Sequence, residues 1–102
     1  MYFYGFPSPL KAVIDRCQGY WRNPDLPARR NRPAFMLGAC GSCPREDFNV
    51  LLKQGRAFFN TVGFSLSDSL IVPALERPGG GRRFRLALQN ARRLGARLNA
   101  QA

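Results

Sequence analysis

The sequence predicts an α/β domain of parallel βαβ units, with helices on both faces of a sheet, and three observations predict it. Two short apolar runs, residues 33–39 and 69–72, lack the alternation of a half-exposed strand. Uninterrupted runs of that kind mark strands buried on both faces. Each run is followed by a segment whose apolar residues recur at helical spacing, and an aromatic stretch at the N-terminus precedes a third such segment. Strands alternating with helices in this way belong to parallel sheets rather than to hairpins.

Taken in order, residues 2–4 (Tyr2, Phe3, Tyr4) read as the end of a strand. Ser8 is expected to cap the first helix through its hydroxyl, with Pro9 at the first helical position. Leu10, Val13, Ile14 and Cys17 then fall on one helical face, which makes Cys17 a core thiol. Tyr20 and Trp21 close this helix, as core residues or as a lip over a ligand. Residues 21–32 are loop, broken by Asn23-Pro24 and Leu26-Pro27. After the strand at 33–39, Cys40 to Glu46 turn into a second helix with Pro44 near its start. Its face is Phe48, Leu51, Leu52, Gly55, Phe58, Phe59 and Val62, and Gly63 is suited to a left-handed cap. A further strand ends at Val72 and starts near Leu66. Residues 73–81 are loop, most flexible at the three glycines 79–81. A last helix covers about 82–98, with Phe84, Ala87, Leu88, Ala91, Leu94 and Leu98 in a stripe. Only two complete strands and a stub are visible, and a chain that opens on the end of a strand leads us to expect missing structure upstream.

The chain has 102 residues, 45% of them apolar, which allows one domain with a modest core. No run approaches the roughly 18 apolar residues of a membrane span. The N-terminus lacks the pattern of a signal peptide, so a cytoplasmic location is expected. The net charge is +10, carried almost wholly by Arg. Such a field attracts anionic partners, yet no zinc-finger spacing, aromatic RNA-binding strand or helix-turn-helix is present. The Arg-rich last helix is read first as a solvated face and second as a phosphate patch. Neither nucleic acid nor membrane is the expected partner. Three Cys and no His make neither a disulfide scaffold nor a tetrahedral zinc site within the chain, and a reducing compartment is the simpler assumption.

The stretch Tyr2-Phe3-Tyr4-Gly5-Phe6-Pro7-Ser8-Pro9-Leu10-Lys11-Ala12-Val13-Ile14-Asp15-Arg16 resembles a motif of the flavodoxin-like NAD(P)H-dependent FMN reductase family. In that family an aromatic pair ends the third strand. A Gly/Pro/Ser turn follows, then a helix carrying Leu-Lys and Ile-Asp-Arg. The order of the later elements is similar too, through Phe58-Phe59, Val62-Gly63-Phe64 and Ala91-x-x-Leu94-Gly95. The resemblance implies the C-terminal half of a doubly wound parallel sheet. It also implies FMN as cofactor and NAD(P)H as electron donor. Tyr2, Phe3, Tyr4 and Gly5 would wrap the flavin edge, and Cys40, Gly41 and Ser42 would approach it from the next loop. Homodimers are common in the family, so a homo-oligomer is a further expectation. The family's phosphate-binding loop follows its first strand, and this chain has no counterpart of it. Met1 also stands where the family has Pro. FMN binding that is weak or absent in this chain alone is therefore expected, and the chain reads as a partial domain.

Two other chemistries stay open. Cys40-Gly-Ser-Cys43 lies between a strand and a helix start, where a dithiol becomes reactive because the helix N-terminus favours thiolate. Thioredoxin-like proteins place their redox pair in this way, but a helix rather than a hairpin follows Val72-Pro73 here. The pair thus reads as small loop residues near a ligand, with a thiol-disulfide oxidoreductase as the alternative. A basic module binding nucleic acid or another anion is the third reading. Lys11 and Asp15 sit at i, i+4 and are expected to pair on the helix surface. With no His and few acids, nucleophile–base catalysis has no obvious residues to use.

Overall fold

The computed structural model describes residues 1, 3–23, 32–74, 76 and 80–101. Its elements are α1 (Ser8–Arg16), α2 (Gln18–Trp21), β1 (Arg32–Ala39), a 3-10 turn (Arg45–Asp47), α3 (Phe48–Thr61), β2 (Phe64–Val72) and α4 (Gly80–Gln101). β1 and β2 pair in parallel as a two-stranded sheet. This is the mixed α/β architecture the apolar runs predict.

The centre of the molecule is the β1–α3–β2 crossover. Phe48, Leu51 and Gly55 of α3 are buried, and Met36, Phe48, Leu51 and Ile71 form the core cluster. Phe48 is the one fully buried large side chain among the described residues, at 1% exposure. Two glycines let the layers approach. A Cβ on Gly55 would lie 2.7 Å from the Met36 sulfur, and one on Gly38 would lie 3.0 Å from the Phe48 ring. α3 ends as expected at Gly63, whose φ of 86° only glycine adopts readily. From there Arg32 N–H donates to the Gly63 carbonyl and ties the link to β1.

The register carries a bulge. Ala34 pairs with Leu66 but Phe35 pairs with Asp68, which leaves Ser67 as the extra residue. In a regular strand Leu66 and Ile71 would point to opposite faces. The bulge puts both against the same core cluster, and Ser67 Oγ donates to the Ser65 carbonyl. It also sends Asp68 to the opposite face, where Arg97 of α4 pairs with it.

Several expectations are corrected. β1 is fully covered on one face and only partly on the other: Met36 is 7% exposed, while on the opposite face Phe35 is half-buried and Leu37 is 69% exposed. α4 lies on that second face chiefly beside β2. Of its stripe only Leu94 is buried, while Phe84, Leu88 and Leu98 are exposed. α1 buries no residue: Leu10 and Val13 are exposed and Ile14 is half-buried, so its stripe is incompletely covered. Cys17 is half-buried at the break between α1 and α2, not a core residue. Tyr20 and Trp21 are exposed in α2. Ser8 is already helical and makes no capping bond; Pro7 occupies the cap. Phe3 and Tyr4 form a turn rather than a strand end, and Tyr2 lies outside the described residues. Gly80 and Gly81 begin α4 instead of belonging to the loop, and Gly79 lies outside the described residues. The Lys11–Asp15 pair forms as predicted. The radius of gyration is 15.2 Å, against about 13 Å for a compact domain of this length. Loose α1 and half-covered α4 account for the difference. No helix of the described residues is long and apolar enough to cross a membrane.

Candidate functional site

The carboxyl end of the sheet gathers the chemistry. Beyond β1 the ladder continues for one residue, with Cys40 N–H donating to the Val72 carbonyl at 3.1 Å. The chain then turns through Gly41 and Ser42, and a disulfide joins Cys40 to Cys43. Cys43 N–H also donates to Cys40 Sγ at 3.2 Å. Glu76 closes the corner, because its N–H donates to the Gly41 carbonyl at 2.8 Å. Its carboxylate occupies the space a Cβ on Gly41 would need. Arg45 follows at the start of the 3-10 turn, and its guanidinium donates to the Ile71 carbonyl.

The aromatic segment reaches the same end. The Met1 ammonium donates to the Ala39 carbonyl at 3.0 Å, one residue before Cys40. Met1, Cys40 and Cys43 all pack against the central core cluster. Phe3 and Tyr4 then turn with φ values of 47° and 64°. That region is sterically disfavoured for L-residues, by about 1–2 kcal/mol each, and unusual for bulky aromatics. Phe3 is 100% exposed and Tyr4 is exposed. Gly5 is half-buried and forms an isolated bridge. Of the residues singled out in the sequence, Cys40, Gly41 and Ser42 lie at one end of the sheet, Gly5 lines a groove together with Ala39, and Phe3 and Tyr4 turn out into solvent after Met1, while Tyr2 lies outside the described residues.

Behind the turn, α1 stands off from β1 and α3 and leaves a groove of about 390 Å³. Phe6, Leu10, Gly38 and Phe59 are among the residues that line it, and no charged side chain does. Its size falls within the range of small-molecule sites. Its lining suits a flat apolar group; the Met1 ammonium, the charged group that borders it, is already held by the Ala39 carbonyl.

Sequence reasoning missed Glu76 and Arg45. Glu76 donates its backbone N–H to the Gly41 carbonyl and Arg45 donates its guanidinium to the Ile71 carbonyl; both partners are backbone carbonyls, which carry no composition signal. On α4, Arg83 donates to the Ala74 carbonyl and Arg97 pairs with Asp68. Two of the Arg that suggested an anion patch thus help fasten the helix. Among the described residues no group of three or more metal-ligating side chains forms. No known protein family, characterised protein or solved structure matches this chain.

Proposed function

We propose that this chain supplies the carboxyl-terminal part of a flavodoxin-like sheet in an FMN-dependent NAD(P)H oxidoreductase. The observation that carries the reading is the Met1–Ala39 hydrogen bond. It brings the start of the aromatic segment beside Ala39 at the carboxyl end of β1, the residue before the Cys40-Gly41-Ser42 corner. In open α/β sheets that is where ligands bind. It also supports the order aromatic segment, β1, β2, the arrangement the resemblance implies.

The residues present fit one part of the cofactor. Phe3 and Tyr4 offer aromatic surface to a flat ring, and the strained turn holds them out toward it. The apolar groove behind can take a ring edge. A phosphate finds no charged side chain in that groove, so the chain's contribution is to the ring. When bound, the flavin supplies the hydride chemistry, and the protein positions it and excludes water.

The reading predicts an unusual selectivity. Because the ring is held and the phosphate is not, riboflavin should bind this chain about as tightly as FMN. Titration by quenching of flavin fluorescence measures both. Saturable binding with a riboflavin-to-FMN affinity ratio near one, lost in Tyr4→Ala, is the expected result. Absence of saturable quenching up to the solubility limit of riboflavin would refute it.

A further inference from the structure

We infer that Cys40 and Cys43 are a redox-active pair that exchanges with small-molecule disulfides and thiols of the glutathione class. The inference goes beyond the flavin reading and does not depend on it.

Its first support is proximity. The two Cα atoms are 5.8 Å apart, inside the usual span for a disulfide. The second is that a structural role explains little. A disulfide stabilises mainly by restricting the unfolded chain, and the gain shrinks with the loop it closes. Here the separation is three residues, in a corner already tied by the Cys40–Val72 and Glu76–Gly41 backbone bonds. The third is local chemistry. In the reduced pair the Cys43 N–H, aimed at Cys40 Sγ in this structure, favours a thiolate there. The charged groups of the corner are the Glu76 carboxylate, which lies over Gly41, and Arg45, whose guanidinium is bonded to the Ile71 carbonyl, so the Cys43 amide rather than a net positive field is the contact that favours the thiolate. Both cysteines are half-buried, and between them Gly41 and Ser42 add little bulk. The Glu76 carboxylate lies over Gly41, so a small disulfide or thiol reaches the pair from the side of exposed Ser42.

Exchange runs in two displacements. The Cys40 thiolate attacks one sulfur of a disulfide R–S–S–R, forms Cys40–S–S–R and releases one R–S⁻. Cys43 then gives up its proton and attacks Cys40 Sγ, which expels the second R–S⁻. Two electrons and two protons pass from the pair to the partner, giving two R–SH and the Cys40–Cys43 disulfide. Two equivalents of a monothiol such as glutathione reverse both steps and leave as their own disulfide.

The test uses the full chain without flavin. After incubation with reduced glutathione, alkylation and mass measurement should show two more thiols than the single one at Cys17. Reduction that occurs only once urea has unfolded the chain would overturn the inference. Cys40→Ser and Cys43→Ser then assign the attacking sulfur. With an aromatic disulfide as probe, Cys40 in Cys43→Ser should react about tenfold faster than Cys43 in Cys40→Ser. Equal rates would count against it. Should either variant lose its helical circular dichroism, the reduced wild-type pair decides. Faster modification in the native chain than in urea supports the inference, and equal or slower modification refutes it. Riboflavin titration of the same samples is a separate readout, so either idea can fail alone.

Discussion

The two faces of β1 differ although their residues are neighbours in the chain. Met36 faces α3 and is 7% exposed; Leu37 faces the other way and is 69% exposed. On the first face α3 comes down until Gly55 meets the Met36 sulfur and Phe48 meets Gly38. On the second, α4 leans mainly over β2, held by Arg97 on Asp68, and leaves Phe35 half-buried and Leu37 exposed on β1. Both faces are apolar, so composition does not separate them. What separates them is glycine: Gly38 and Gly55 remove the side chains that would hold a helix away. α4 has Gly95, but nothing lies within 4 Å of the place its Cβ would take. A close-packed face is thus made by small residues set opposite large ones, and hydrophobicity alone leaves a layer loose.

Three substitutions sharpen that contrast, and the closed face should respond most. Phe48→Ala removes the fully buried ring between the layers and should cost about 3–5 kcal/mol. For a domain of this size that approaches the whole stability, so urea denaturation should find little native baseline. Gly38→Ala adds one methyl where 3.0–3.2 Å already separates the Cβ position from Phe48 and Ile71. Overpacking of about 1–3 kcal/mol is expected, seen as a lower urea midpoint at unchanged slope. On the open face, Leu37→Thr should shift the midpoint by no more than about 0.5 kcal/mol. Its effect should appear instead as reduced self-association in sedimentation, since it removes an exposed apolar side chain. A large loss of stability in Leu37→Thr would mean that the second face is closed in solution.

The crossover was legible because its signals are local and agree with one another. The apolar run of β1, the helical spacing of α3 and the glycine after it all point the same way. The candidate corner was legible too, since Cys40-Gly-Ser-Cys43 must fall where a strand meets a helix. What could not be read was coverage. An apolar stripe such as Leu10, Val13 and Ile14 states that a face avoids water, not that a partner is near enough to cover it. The same limit misplaced Trp21 and Cys17. The Ser67 bulge was hidden because an extra residue in one strand shows only against the register of the other. Ser8 looked like a cap from its type, yet Pro7 with its fixed φ begins the helix one residue earlier. Glu76 enters the corner through its backbone, which every residue has.

The contact between Gly55 and Met36 has a chemical consequence. With 2.7 Å between the sulfur and the place a Cβ would occupy, there is no room on that side for an added atom. Conversion of the thioether to its sulfoxide adds an oxygen and a strong dipole, in a cluster of Met36, Phe48, Leu51 and Ile71 that offers apolar side chains. Burial shields Met36 from peroxide while the layers stay together. Oxidation of Met36 should therefore weaken the seating of α3 on β1, read as a lower urea midpoint after peroxide treatment.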